Sequence, residues 1–113
     1  MAYRNVTARG AGNAAERVLT TENGTINVAT GQVFRVYDIT GYAVGATIVR
    51  IRTATLTGAI LYAFDHTAAG NFGWSPRTPI ELPGGTAAAG TNYVVTEEGA
   101  NANVTTLSGD ERA

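Results

Sequence analysis

Glycine sets the terms on which this chain can fold. Fourteen glycines and three prolines are spread through 113 residues, and the runs between them are rich in Val, Ile, Thr, Tyr and Phe. Gly31, Gly41, Gly45, Gly58, Gly84-Gly85, Gly90 and Gly99 each mark a reversal. No run between them keeps a helical period, and the most helix-prone piece, 87–89, is hemmed in by glycines. The runs read instead as strands, about eight short ones, over 17–21, 25–28, 33–40, 46–53, 59–64, 78–82, 91–96 and 104–107. Asn23-Gly24 has the chemistry of a hairpin turn that wants positive φ. Pro76, Pro79 and Pro83 confine the strand among them to a short edge position. Closely spaced short strands with glycine turns predict an all-β chain: a single antiparallel β-sandwich of jelly-roll type.

The sandwich is expected over 16–113. Residues 1–15, MAYRNVTARGAGNAA, show no apolar period and carry short side chains, so they read as an extended N-terminal arm whose one apolar anchor is Tyr3. The closing SGDERA reads as a short solvated C-terminal tail.

Composition narrows the function. A formal charge of -1 excludes a basic protein that holds nucleic acid through counterion release. No apolar run approaches the roughly 20 residues of a membrane span, and the first residues lack the apolar stretch of a secretory signal. Charged residues make up only 15%, and all eight basic residues are arginine. Arginine is enriched in protein interfaces, where lysine is depleted.

Apolar residues on both faces of the strands are the informative anomaly. In 33–40, Val33, Tyr37 and Ile39 fall on one face and Phe34 and Val36 on the other; Ile48 opposes Val49 and Ile51, and Leu61 opposes Ile60, Tyr62 and Phe64. A two-sheet sandwich buries one face of each sheet, so a second apolar face predicts contact with further copies of the chain. Arg35, Tyr37, Arg50 and Arg52 are the candidates for that subunit interface.

Reactive chemistry is sparse. The only histidine is His66, beside Asp65; a Ser75–His66–Asp65 triad can be written, but strand neighbours point opposite ways, which sets Asp65 badly for orienting His66. Glu97-Glu98, followed by Gly99, reads as a solvated turn rather than a catalytic carboxylate pair. Without cysteine and with one histidine, no metal site is expected, and no phosphate-binding loop or cofactor signature is present. The expectation is a non-enzyme with no cofactor. Trp74, with Asp65 and Asn71 in the stretch 65–77, could alternatively grip a sugar ring, as in a fibre or spike tip that binds host glycans.

From about residue 25 to 107 the chain resembles the short jelly-roll decoration, or head-stabilisation, proteins of tailed bacteriophages. The likeness lies in an opening hairpin into a long strand (NGTINVATGQVFRVYDITGYAVG) and an arginine-bearing strand (ATIVRIRTATLTG). It continues through a strand ending in a polar loop (AILYAFDHTAAGN), the proline-bounded PRTPIELPGGT and the closing TNYVVTEEGANANVTTL. The resemblance implies a virion protein made in the host cytoplasm that binds the outer capsid surface and meets the major capsid protein. It also implies a homotrimer whose N-terminal arm reaches over the capsid protein, with no nucleic acid or membrane partner. Tyr3, Arg4 and Arg9 are then the expected arm contacts, and removing 1–15 is expected to leave a folded body.

Overall fold

The computed structural model describes residues 2–21 and 26–113. Eleven strands occur among them: β1 (Ala2–Gly10), β2 (Asn13–Val18), β3 (Thr20–Thr21), β4 (Ile26–Val28), β5 (Val33–Ala43), β6 (Thr47–Thr53), β7 (Ile60–His66), β8 (Gly70–Trp74), β9 (Ile80–Pro83), β10 (Thr91–Gly99) and β11 (Asn103–Arg112). The first sheet runs β3-β1-β11-β5-β8, with β9 also paired to β5. The second runs β2-β10-β6-β7, with β4 also paired to β10. Every pairing is antiparallel, and no described residue is helical. The chain shuttles between the sheets from β1 to β6, which gives the expected sandwich of jelly-roll type. Between the sheets lies one core, in which Phe34, Val36, Ile39, Val49, Ile51, Leu82, Val95 and Leu107 are buried.

The N-terminal segment departs from expectation. Residues 2–10 are no arm: β1 makes a nine-pair ladder with β11, from Ala2 opposite Glu111 to Gly10 opposite Asn103, and carries β3 on its other flank. Its inner residues Val6 and Ala8 are buried. The alternation was present in the sequence, but small inward side chains give it almost no hydrophobic signal. Residues 13–18 form β2, the edge of the second sheet beside β10. Gly12, at a φ of 90°, turns the chain from one sheet to the other.

The C-terminal stretch is likewise strand rather than tail. β11 continues to Arg112, and Asp110 is buried. A side chain at Gly109 would run into the Arg35 carbonyl oxygen, so glycine is what lets β11 and β5 lie this close. β8 forms in the stretch 65–77, where no strand was expected, whereas β9, bounded by Pro79 and Pro83, is the short edge strand expected there. The Asn23-Gly24 turn lies outside the described residues.

A bulge accounts for the two-faced apolar pattern of β5. Ser108 sits opposite Asp38 and Gly109 opposite Val36, so Tyr37 is an extra residue in β5. The bulge shifts the alternation by one, and Phe34 and Val36 before it and Ile39 and Ala43 after it all turn inward. In β7 the extra residue is Leu61, skipped between Ile51 opposite Tyr62 and Arg52 opposite Ile60, but there Ile60 and Leu61 both stay exposed.

Candidate functional site

The predicted arm residues separate into three environments. Arg4 is a structural strut. Its guanidinium pairs with Glu111, donates to the Asn27 carbonyl at 2.8 Å and lies 5.2 Å from the centre of the Phe34 ring. Tyr3, at the other extreme, is 74% exposed. Arg9 stands opposite Val104 and Thr20 on the outer face of the first sheet, where it borders a shallow depression of about 480 Å³ with Tyr42, Val44 and Val104.

Arg35, Tyr37, Arg50 and Arg52 do not form one surface. Arg35 and Tyr37 lie on the first sheet: Arg35 faces Glu81 at 3.5 Å, and the Tyr37 hydroxyl donates to Asp110 Oδ2 at 3.1 Å. Arg50 and Arg52 lie on the second sheet and are held within the chain. Arg52 grips both oxygens of Glu16, at 2.7 and 2.8 Å, and Arg50 reaches Glu98 at 2.8 Å and Glu16 at 3.2 Å. The Thr96 hydroxyl donates to Glu16 as well, at 2.5 Å. Hydrogen bonding from Arg52, followed by that from Thr96 and the charges of Arg50 and Arg52, lowers the Glu16 carboxyl from 4.5 to about 2 against the opposing effect of burial. The second sheet's arginines therefore stiffen its outer face.

The stretch around Trp74 is a hairpin that bridges the two sheets. β7 edges the second sheet, β8 edges the first, and their rings meet across the gap: Tyr62 with Trp74 at 6.4 Å, Phe64 with Phe72 at 5.2 Å, and His66 with Phe72 at 5.0 Å. This aromatic row closes the core along its open edge and leaves a groove of about 430 Å³ that Asp65 and Trp74 both border. Asn71 is apart from it, opposite Tyr42 on the first sheet. Ser75 donates to Asp38 at 2.5 Å, while His66 stacks on Phe72, so no Ser75–His66 couple is assembled.

Glu97 overturns the reading of Glu97-Glu98 as a solvated turn. Glu97 is fully buried; it accepts hydrogen bonds from Arg17 Nε at 2.9 Å, Asn103 Nδ2 at 2.8 Å and the Gly12 N–H at 3.2 Å. These contacts pin the crossing from β1 to β2 against β10. The signal lay in the alternation Tyr93, Val95, Glu97, all inward, which continues past the last apolar residue. Glu98 points outward to Arg50.

The outer face of the first sheet is built differently from the other surfaces. The ladder registers place Tyr3, Asn5 and Thr7 of β1, Thr106 and Ser108 of β11, and Thr40 and Tyr42 of β5 on it. Exposed tyrosines and small polar groups share it with Arg9, Arg35, Asp38 and Asp110. No group of three or more His, Asp or Glu among the described residues is arranged to hold a metal ion.

No family model matches the chain, and no curated protein matches it. Solved structures are similar to the chain only at low TM-scores. A chain of the endospore appendages of Bacillus, a family of disulfide-linked pili, is 8% identical over 96% of this chain and 88% of that one, with a TM-score of 0.35. A chain of broad bean stain virus is 11% identical over 99% of this chain and 85% of that one, with a TM-score of 0.38. A chain from the virus-like particle of the extra small virus of the giant freshwater prawn Macrobrachium rosenbergii is 16% identical over 94% of this chain and 75% of that one, with a TM-score of 0.32.

Proposed function

We propose that this chain is a structural virion protein that binds the outer surface of a phage capsid, in contact with the major capsid protein, and stabilises or decorates it as a homotrimer. The observation that carries the reading is the outer face of the first sheet, where Tyr3, Tyr37 and Tyr42 are exposed among threonines, serine and asparagine. Tyrosine supplies contact area at low entropic cost and small polar residues supply adaptable hydrogen bonds, a composition suited to gripping another protein. The sequence resemblance to phage decoration proteins supplies the partner. A protein that binds only the assembled lattice stabilises it by mass action, and a trimer gains further from engaging several sites at once. Tyr3, rather than a flexible arm, is the capsid contact in this reading. Co-sedimentation with purified capsids tests it: wild type is expected in the capsid pellet and Tyr3→Ala reduced there, while wild type left entirely in the supernatant contradicts it.

A second reading, a fibre or spike tip domain that binds host glycans, draws on the groove between β7 and β8, where Trp74 offers a half-exposed ring beside Asp65. A glycan array probed with wild type and Trp74→Ala separates the two. Glycan binding that vanishes with Trp74 favours the tip; an array with no signal favours decoration.

A further inference from the structure

The open side of the sandwich is bounded by two strand edges. β7 ends the second sheet and β8 the first, and among the described residues each is hydrogen-bonded on one flank only, β7 to β6 and β8 to β5. Alternate residues of an antiparallel strand turn their backbone N–H and C=O to the same flank, so the seven-residue β7 presents a row of unpaired backbone groups along the opening. It contains neither lysine nor proline, the usual means of blunting such an edge. Beside this edge lies the groove of about 430 Å³, bordered by Phe64, Phe72 and the half-exposed Trp74. Asp65 stands at its rim, exposed, and makes no ion pair among the described residues.

We infer that β7 takes up an extended segment of a partner protein as one further strand of the second sheet, and that this segment alternates apolar and basic residues. The inference goes beyond the decoration role and does not rest on it.

Geometry and charge select that occupant. A strand laid beside β7 meets its backbone groups at their own spacing, rung after rung, which a sugar does not. The two-residue period then divides the side chains of the added strand. One set points between the sheets, onto Phe64, Phe72 and Trp74, where apolar groups belong. The other set points outward, level with Asp65. On β6 Asp65 faces Ile48, so it has no opposite charge across that rung, and a base on the added strand supplies one. Small residues leave room for the approach: Ala63 is exposed, and a side chain at Gly73 would meet nothing within 4 Å. A second copy of the chain is not the source. β6 has the right alternation in Val49-Arg50-Ile51-Arg52, but it is already paired on both flanks, with β10 and with β7.

Fluorescence anisotropy of labelled peptides tests the inference on the intact chain. The probe is an eight-residue peptide of alternating valine and lysine. Its block isomer, valines first and lysines after, has the same charge and composition, and wild type is expected to bind it about tenfold more weakly or worse. N-methylation of all the valines, or of all the lysines, removes the donors from one flank of the peptide strand. One of these two peptides is expected to lose about tenfold or more and the other to bind like the parent. Asp65→Lys, a change at an exposed position, is expected to weaken the valine–lysine peptide a few-fold and to favour a valine–glutamate peptide instead. Equal affinity for the alternating and block peptides overturns the inference, as does equal affinity for the two methylated ones or an Asp65→Lys variant that keeps the wild-type preference. A wild type that binds no peptide overturns it as well, and glycan binding through Trp74 in that case assigns the groove to sugars. Capsid co-sedimentation that depends on Tyr3 stands or falls separately from all of these outcomes.

Discussion

Glu16 and Arg52 meet as a two-pronged pair across the second sheet, Nε to Oε2 at 2.7 Å and Nη2 to Oε1 at 2.8 Å, although 36 residues separate them. The pair ties the edge strand β2 over the top of β10 to β6, and Arg50 and Thr96 join it from below.

Acid should loosen that tie. The folded carboxyl of Glu16 titrates at about 2 rather than 4.5, so its contribution is complete above 4.5 and is lost as the pH falls through 2. Solvent reaches one side of the pair and screens it, which holds the effect to about 1 kcal/mol. Urea unfolding of wild type and Glu16→Gln at neutral pH and near pH 2 should show the two converging in acid. Curves that run parallel across that range would contradict the assignment.

Glu97 should matter more than its partner Arg17. Glu97→Ala removes three hydrogen bonds at a fully buried site and leaves Asn103 short of an acceptor, an expected loss of about 3 kcal/mol. Arg17 is half in solvent, so water can replace it, and Arg17→Ala should cost about 1 kcal/mol. Chemical denaturation midpoints give the ranking directly; equal losses would mean that Arg17 is the dominant support.

Deleting residues 2–10 should abolish cooperative unfolding rather than free a trimmed domain. The deletion strips β11 of its whole outer ladder, unseats β3 and removes the Arg4 guanidinium from Phe34. A shortened protein that still melts in a single sharp transition would restore the view of this segment as a detachable arm.

Gly109→Ala should destabilise by about 2 kcal/mol, because the new methyl group meets the Arg35 carbonyl and the Val36 Cα beside the bulge. Thermal denaturation is the check, and an unchanged melting temperature would show that β5 can shift to make room.

The fold class was legible because glycine spacing and β-branched runs are local signals, and the sandwich followed from them. What escaped was registry. Tyr37 and Leu61 each slip the alternation by one residue, and nothing in the residues themselves announces a bulge that only a neighbouring strand defines. β1 was missed for a different reason: its inward residues Val6 and Ala8 are small and give the alternation almost no hydrophobic signal. Of the site residues, Trp74 and Asp65 do border one groove, and Tyr37 does stand exposed. Arg4, Arg50 and Arg52 looked available because their acidic partners, Glu111, Glu16 and Glu98, are far away in sequence.

The placement of β1 beside β11 has a mechanical side. Ala2 lies opposite Glu111 at one pole of the molecule, and Gly10 opposite Asn103 at the other. Tension drawing residues 2 and 111 apart would part their nine-rung ladder like a zip, one rung after another, and never load the rungs together in shear. Such a body yields at low force when tugged at that pole, yet sits firm when the load is shared across its broad faces.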